Sequence, residues 1–361
     1  MRRTCAERTL QSHTEKRGVA EVVRLRNDSR PVREFRQIRP LRVPNCFFFK
    51  STPEESHVLN FAASLWLAGS ILLFWRSWRF VQGTTLESAW RWGWSAWNLW
   101  GLSWALELNA SRIPAGILDQ MWYAVALLLL AALVSVLGAK RPGTRVWTWF
   151  VTVPMLLVLG WPALFAWSHG WPPDRFRLME PALLAYGVVC IMGLGNYMGT
   201  RFLVSGVWMG VALFWLAMPY SGWVPDMLPT PTGCRLRATL CAGMAVIWPA
   251  TLAAAIPFLA PWDRVWVDFV NCFGIVWGRR LQDRFNDTAR QAQWGVKLDL
   301  YGLAWDDSQA TSPPVERTKL PRWTPDMANA LRWLLRRFVD QRWLEQRVGK
   351  LPDPQSSEPV S

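Results

Sequence analysis

The sequence predicts an all-α integral membrane protein: a polytopic bundle of about seven transmembrane helices, followed by a small C-terminal module of amphipathic helices. Three observations support this fold class. Apolar residues are concentrated between 58 and 261, whereas charged residues are frequent on both sides of that region. Several apolar runs within it approach the roughly 20 residues that a helix needs to cross a bilayer. The chain also has 27 tryptophans against three histidines, and tryptophan favours the headgroup level of a membrane.

Residues 1–57 are predicted to form a basic, disordered N-terminal tail. The segment is rich in arginine and shows little apolar periodicity. Four prolines interrupt it: Pro31, Pro40, Pro44 and Pro53. Arg2 and Arg3 are not followed by an apolar stretch, so no signal peptide is predicted. Two interpretations stay open, a basic arm on anionic lipid or upstream sequence read from a wrongly assigned start codon.

Seven segments of the middle region qualify, or nearly qualify, as membrane spans. They cover residues 58–75, 87–107, 119–138, 146–167, 181–199, 202–219 and 238–260. The third is the clearest, because Met121 through Gly138 carries no charge and must be helical to satisfy its backbone in lipid. The second is the least certain, since Glu87, Arg91 and Glu107 lie within it or at its ends.

The loops between the spans predict the orientation of the chain. The compact turn at 140–143 (Lys-Arg-Pro-Gly) is typical of a cytoplasmic loop, and the Trp/Pro-rich linkers 168–180 and 220–236 would then face outward. We therefore expect a bacterial inner (plasma) membrane protein with its C-terminus in the cytoplasm. Basic residues divide almost evenly between the two sets of loops, and the basic tail favours the opposite orientation.

The net charge of +14 does not predict nucleic-acid binding, because much of the basic excess lies in the tail and in loops beside the spans. Contact with anionic lipid explains such a distribution. The lipid bilayer is therefore the predicted partner, and no nucleic acid is predicted. The six cysteines show no C-x-x-C spacing, so neither a disulfide framework nor a zinc site is expected.

Residues 262–350 are predicted to form an amphipathic helical module in the cytoplasm or on the membrane surface. From Trp262 to Phe285, large apolar residues recur every three or four positions, which indicates one amphipathic helix. A Pro/Ser linker follows at 308–322, and residues 351–361 are predicted to be a disordered tail.

A final helix is predicted at 324–350, where Thr324 supplies an N-cap and Pro325 the first helical position. Its apolar stripe runs beside several arginines. The stripe consists of Met327, Leu331, Leu334, Leu335, Phe338 and Val339. Basic amphipathic helices of this kind lie on membranes or dock onto proteins, so this helix is the predicted contact with a protein partner.

The tryptophans of the second segment are the most unusual feature of the sequence. They are Trp90, Trp92, Trp94, Trp97, Trp100 and Trp104. Trp90, Trp94, Trp97 and Trp104 share one broad helical face, with Trp100 beside it, and a flat ligand could stack on this face. Interfacial anchoring and packing between helices are the simpler interpretation. The segment resembles the tryptophan-rich segment of bacterial haem-handling cytochrome c assembly proteins but lacks their Trp-Asp ending; the resemblance implies His57 and His169 as flanking haem ligands.

No cofactor and no metal site are predicted, because none of the three histidines lies inside a predicted span. A bis-histidine haem or a histidine-ligated metal within the bilayer is therefore excluded. The sequence also has no H-E-x-x-H motif, no acidic metal cluster and no serine with a neighbouring His–Asp pair, which argues against an enzyme.

Polar residues near the span ends are the candidate ligand-binding residues, together with the tryptophans above. Arg91 can pair with Glu87 at i,i+4, and Asn196 and Arg201 lie at the turn between the fifth and sixth segments. Glu107 is expected to reach the headgroups by snorkelling, which leaves no unpaired carboxylate at mid-bilayer.

Two G-x-x-x-G pairs predict close packing of the fifth and sixth segments: Gly195 with Gly199, and Gly206 with Gly210. Asn196 is expected to add a hydrogen bond between these helices.

Three classes of function follow. The leading one is a non-catalytic membrane scaffold or assembly factor that recruits partners through its C-terminal helices. The second is a transporter or small-molecule carrier that uses the tryptophan-rich helix and the charged span ends. The third is a haem-handling protein or another intramembrane enzyme, which the histidine count disfavours.

Overall fold

The computed structural model describes residues 53–109, 112–141, 144–170, 177–221, 230–252, 260–306 and 322–349, and these are predominantly helical. Most of the predicted N-terminal tail and all of the predicted C-terminal tail lie outside the described residues. Helix already begins at Pro53, so the N-terminal tail was predicted a few residues too long.

Every one of the seven predicted apolar segments is helical along most of its described length. The helices are α1 (Pro53–Val81), α2 (Glu87–Glu107), α3 (Ala115–Leu137), α4 (Thr144–Trp147), α5 (Val153–Ser168), α6 (Glu180–Gly195), α7 (Leu203–Ala217) and α8 (Pro231–Leu252). A π-helical turn, Thr148–Thr152, joins α4 to α5, and a 3-10 turn, Met218–Tyr220, follows α7.

Three helical stretches of the described chain are long and apolar enough to cross a membrane: Ala115–Leu137, Thr148–Ser168 and Leu203–Tyr220. Helix α6 is apolar but shorter. These stretches support a helical membrane fold, although helix length and composition do not establish all seven predicted spans.

The core of the helical bundle lies between α2, α3, α7 and α8. Helix α2 packs along α3, α7 packs along α8, and α1 contacts both α2 and α8. The largest side chains of this core are aromatic and at most 2 % exposed: Trp97, Trp100, Trp104, Trp122, Tyr123 and Tyr220. Aromatic packing between helices, the simpler interpretation of these tryptophans, is therefore what their burial supports.

The C-terminal module has a hydrophobic core of its own. It consists of α9 (Pro261–Gln291), β1 (Val296–Asp299), β2 (Gly302–Trp305), α10 (Pro325–Leu335) and α11 (Gln341–Val348). The strands form an antiparallel hairpin in which Val296 faces Trp305 and Asp299 faces Gly302. The apolar face predicted for α9 is buried at the centre, with Phe269, Phe273 and Phe285 completely inaccessible.

The predicted final helix is in fact two helices. Thr324 caps α10 as expected, since its Oγ1 accepts from the Met327 N–H at 3.4 Å. Helix α10 ends at Leu335 because the following residues bond to the turn between α1 and α2 instead of continuing the helix. The Phe338 carbonyl accepts from the Thr85 N–H at 2.8 Å.

The apolar stripe predicted to face a membrane or a partner is buried inside the module. All of its members are at most 9 % exposed, and Leu331 and Leu335 are completely inaccessible. The stripe packs against α9, whose own apolar face needs cover. A partner of this segment therefore has only the opposite, exposed face available.

Candidate functional site

The tryptophans of α2 occupy two different environments. Trp90 and Trp94 are half-buried and stack on each other, with ring centroids 5.6 Å apart, and both stack on Phe74 of α1. Trp97 and Trp104 are buried. The predicted aromatic face is thus built into the bundle over much of its length.

The buried indoles of α2 are fixed by hydrogen bonds to neighbouring helices. Trp100 and Trp104 both donate through Nε1 to the single hydroxyl oxygen of Thr239 on α8, at 2.9 and 2.8 Å. Trp97 donates to Ser70 on α1 at 3.3 Å. Thr239 in turn donates to the Arg235 carbonyl at 2.9 Å, so its hydroxyl is fully engaged.

A cluster of three charged side chains lies directly beside these indoles. The Arg235 guanidinium donates through Nη1 to both oxygens of Glu107, at 2.9 and 2.7 Å, and through Nη2 to Asp119 at 2.6 Å. All three side chains are at most 8 % exposed. Thr232 and Trp122 complete the cluster by donating to Glu107 at 2.9 and 3.1 Å. We call these three charged residues, Glu107, Asp119 and Arg235, the charge cluster.

The charge cluster forms where three helix ends meet. Glu107 is the last residue of α2, Asp119 lies at the start of α3, and Arg235 lies at the start of α8. Helices that begin and end at the same side of a bundle bring such residues together. Tyr220, just after α7, donates to the Asp119 carbonyl at 2.8 Å and ties a fourth element to the cluster.

The cluster balances two formal negative charges against one positive charge in a buried site. Removing charges from water is costly unless pairing and hydrogen bonds satisfy them, and here the Glu107 carboxylate accepts from three different side chains. The guanidinium also lies 5.7 Å from the Trp122 ring centre, a favourable cation–π distance. Because the one guanidinium binds both carboxylates, the cluster is suited to joining α2, α3 and α8.

The expectation that Glu107 reaches the headgroups is wrong. Its side chain is 6 % exposed and points to Arg235, because two buried hydrogen bonds to a guanidinium outweigh partial hydration at the bundle rim. Asp119 and Arg235 were missed for the same reason, since each looks like an ordinary span-end charge when taken alone. One feature of the sequence could have indicated the cluster: if successive segments run in opposite directions, all three charges fall at the same end of the bundle.

Asn196 joins the bundle to the C-terminal module. Its side chain donates to the Phe273 carbonyl at 3.0 Å and accepts from the Val276 N–H at 3.0 Å, while its own carbonyl accepts from the Ile275 N–H at 2.6 Å. These bonds lie across a break in α9, where Gly274 has a φ of 81°. A Cβ at Gly274 would lie 2.2 Å from the Asn196 amide nitrogen, so the close approach requires glycine.

Arg201 is also bound to the module. Its guanidinium pairs with Asp268 of α9 at 3.1 Å, and Arg347 of α11 pairs with the other oxygen of the same carboxylate at 3.0 Å. The Arg201 N–H donates to Asn271 at 3.1 Å. Burial raises the pKa of the neighbouring Cys272 thiol to about 11, so this thiol is protonated and unreactive at neutral pH.

The remaining candidate residues lie apart from these two sites. Arg91 is exposed and 3.7 Å from Glu87, the predicted i,i+4 partner. A Cβ at Gly210 would lie 3.0 Å from Leu194 of α6, and one at Gly206 would lie 3.9 Å from the Leu194 carbonyl. A Cβ at Gly195 would meet no atom within 4 Å.

Gly199 differs from the other glycines of these pairs, because it lies in the turn after α6 with a φ of 78°. The use of both G-x-x-x-G pairs in helix packing stays a prediction.

The candidate ligand-binding residues therefore do not converge on one site. Trp104 lies beside the charge cluster, Asn196 and Arg201 contact the module, and Arg91 faces solvent. Within the described chain, no group of three or more His, Cys, Asp or Glu residues is arranged to hold a metal ion.

His169 is exposed, and its ring packs on Phe165. Comparison with known proteins adds no further assignment, since no family model, no curated protein and no solved structure matches this chain.

Proposed function

We propose that this protein is a non-catalytic membrane scaffold, whose helical bundle crosses the bacterial inner membrane seven times and holds the C-terminal module at the cytoplasmic surface. The observation that carries the proposal is that the module bonds to three alternate turns, all at one end of the bundle. These are the α1–α2, α3–α4 and α6–α7 turns.

Each of the three turns contributes main-chain hydrogen bonds. In the α1–α2 turn, Thr85 bonds to Phe338, and the Gly83 carbonyl accepts from the Asp340 N–H at 2.8 Å. In the α3–α4 turn, the Arg141 N–H donates to the Arg337 carbonyl at 2.9 Å. In the α6–α7 turn, Asn196 binds across the α9 break. A module attached at three separate points has a defined position on the bundle, which is what a scaffold requires.

The same contacts support the proposed seven spans. Turns that alternate along the chain meet the module, whereas the intervening connections carry the charge cluster and the pairing of Leu178 with Ser221. This alternation is expected if each helix crosses the membrane once. Lys140 and Arg141 of the compact basic turn lie at the module end, and such a turn is typical of a cytoplasmic loop.

The scaffold proposal is tested by loosening the module while the bundle stays folded. The full-length chain would be purified from membranes in mild detergent, and stoichiometric partners quantified by mass spectrometry. We expect partners with the wild type, their loss with Asn196→Ala, and their retention with Asn98→Ala. Asn98 is a matched control because it is exposed and its side chain donates to the Trp94 carbonyl of its own helix, away from the module. A chain without stoichiometric partners, or partners unaffected by Asn196→Ala, would contradict the proposal.

A second candidate function, a carrier for a small ion or molecule, is favoured by the charge cluster. Buried ionisable groups in membrane proteins commonly mark transport paths. The Nε–H of Arg235 is buried and has no acceptor among the described residues, which leaves one donor for a ligand.

The carrier is tested in proteoliposomes, with flux of protons, alkali cations and anions measured for the wild type and for Glu107→Gln. Flux that depends on Glu107 would support the carrier over the scaffold. Equal permeability of protein-containing and empty vesicles would contradict the carrier function.

A further inference from the structure

The exposed face of α10 carries a large aromatic side chain, Trp333, that takes no part in the buried apolar stripe. Trp333 exposes 51 % of its surface, although its neighbours on the other face of the helix are buried. Two guanidiniums lie over its ring, that of Arg336 at 4.7 Å and that of Arg337 at 5.9 Å from the ring centre. An exposed indole flanked by cations combines an apolar body with positive charge.

The arginines beside Trp333 have no carboxylate partner among the residues that the structure describes. No ion pair of Arg336 or Arg337 is formed within the described part of the chain, whereas Arg201, Arg235 and Arg347 are all paired. The nearest carboxylate in sequence, Asp340, lies against the α1–α2 turn, since a Cβ at Gly83 would be 2.6 Å from its Oδ1. Arg336 is exposed and Arg337 is half-buried, so both charges are accessible to a ligand.

The main chain brings further positive charge to the same place. The Arg141 N–H donates to the Arg337 carbonyl, so the side chains of Lys140 and Arg141 start beside Arg337, two residues after the end of α10. Both residues follow the last turn of α3, a stretch apolar enough to span a membrane. Lys140 and Arg141 thus lie where an apolar span gives way to headgroups, the level that tryptophan and basic residues both favour.

We infer that Trp333, Arg336, Arg337, Lys140 and Arg141 form a binding surface for the headgroups of anionic phospholipids. The guanidiniums and the lysine ammonium bind the phosphate oxygens, and the indole lies among the glycerol and upper acyl groups. The inference rests on the membrane placement proposed above and extends it, because it assigns lipid as the ligand of the exposed face of α10. An acidic protein would also match the positive charge. It would not explain why the surface lies beside the end of α3, an apolar stretch long enough to span a membrane.

Native mass spectrometry of the full-length chain tests this surface. The protein would be titrated in detergent with phosphatidylglycerol or phosphatidylcholine, and the fraction carrying lipid measured. We expect the wild type to prefer phosphatidylglycerol, and Arg336→Gln/Arg337→Gln to weaken its binding by about fivefold for each arginine removed, roughly 25-fold in total. Phosphatidylcholine binding should change little.

The matched control is Arg284→Gln/Arg290→Gln, which removes the same charge from exposed positions in the last turns of α9. This variant should keep the wild-type preference. Three results would overturn the inference: an equal loss of binding in both variants, no lipid preference in the wild type, or binding unaffected by Arg336→Gln/Arg337→Gln. The last two are also the results expected if the surface binds an acidic protein instead of lipid. Extraction of membranes with alkaline carbonate tests the membrane placement separately. If the bundle does not span the membrane, the wild-type protein itself is released into the supernatant.

Discussion

At the scale of single residues, Arg235 and Thr239 show how the bundle uses polar groups. The two residues lie one helical turn apart on α8 and between them satisfy two carboxylates and two indole N–H groups. A buried polar group costs little when bonded and much more when its partner is removed. The main cost of removing either side chain is therefore that its buried neighbours lose their hydrogen-bond partners.

Removing the Arg235 charge should destabilise the bundle strongly. In Arg235→Gln, Glu107 and Asp119 stay buried beside each other without a cation, which costs about 3–5 kcal/mol of unfolding free energy. The midpoint of thermal unfolding in detergent measures this effect. Arg237→Gln is the matched control, since Arg237 is exposed and its guanidinium lies 4.8 Å from the Trp215 ring centre, outside the charge cluster. Equal midpoints for the two variants would show that the charge cluster does not hold the helices together.

Thr239 allows a finer test, because valine has nearly the same shape but no hydroxyl. Thr239→Val leaves the Nε1–H groups of Trp100 and Trp104 buried without an acceptor, at a cost of about 1–3 kcal/mol for each. Thr239→Ser keeps the acceptor and should retain a midpoint close to that of the wild type. A valine variant as stable as the serine variant would mean that the two indoles find other acceptors.

At the scale of elements, α9 has one continuous apolar face but its helical backbone is broken at Gly274. The glycine at 274 leaves the helical conformation, and Asn196 supplies a carbonyl, a carboxamide oxygen and an amide donor to main-chain groups at the break. A side chain that replaces missing helical hydrogen bonds lets a helix bend without leaving buried groups unsatisfied. The bend is therefore specified jointly by two residues far apart in sequence.

Loss of the Asn196 side chain should loosen α9 locally. In Asn196→Ala the Val276 N–H loses its acceptor and the Phe273 carbonyl loses a donor, so the break opens more often. Hydrogen exchange read by mass spectrometry should show faster exchange in peptides covering 270–280 and unchanged protection in α3. The exposed-site variant Asn98→Ala should match the wild type throughout. Unchanged exchange at 270–280 in Asn196→Ala would show that the glycine alone sets the bend.

At the scale of the whole molecule, the described residues form two hydrophobic cores that meet at the turns of the bundle. The first core is rich in tryptophan and lies among α2, α3, α7 and α8; the second lies between α9, the hairpin, α10 and α11. Val136 of α3 belongs to the second core, and its carbonyl accepts from Trp277 at 3.3 Å. The end of α3 is therefore shared by the bundle and the module.

Removing α10 and α11 should damage the module. A chain that ends at residue 321 uncovers the α9 side chains Phe269, Phe273 and Trp277, which pack on Phe338 in the intact protein. We expect aggregation on size-exclusion chromatography and rapid proteolysis within α9. A chain that ends at residue 350 keeps both helices and should behave like the full-length protein. A monodisperse, protease-resistant product of the shorter chain would show that α9 is covered without α10.

The sequence by itself determined the positions of most helices and the helical class of the fold. Apolar runs and their spacing are local properties, so seven helical segments, the amphipathic face of α9 and the Thr324 cap follow from neighbouring residues alone. Only the tertiary structure decided which charges meet and which apolar faces are covered. Glu107, Asp119 and Arg235 are separated by long stretches of chain, and the α10 stripe would suit a membrane or α9 equally well. Pairing energies depend on distance and burial in space, and neither is encoded by the local pattern that makes a helix.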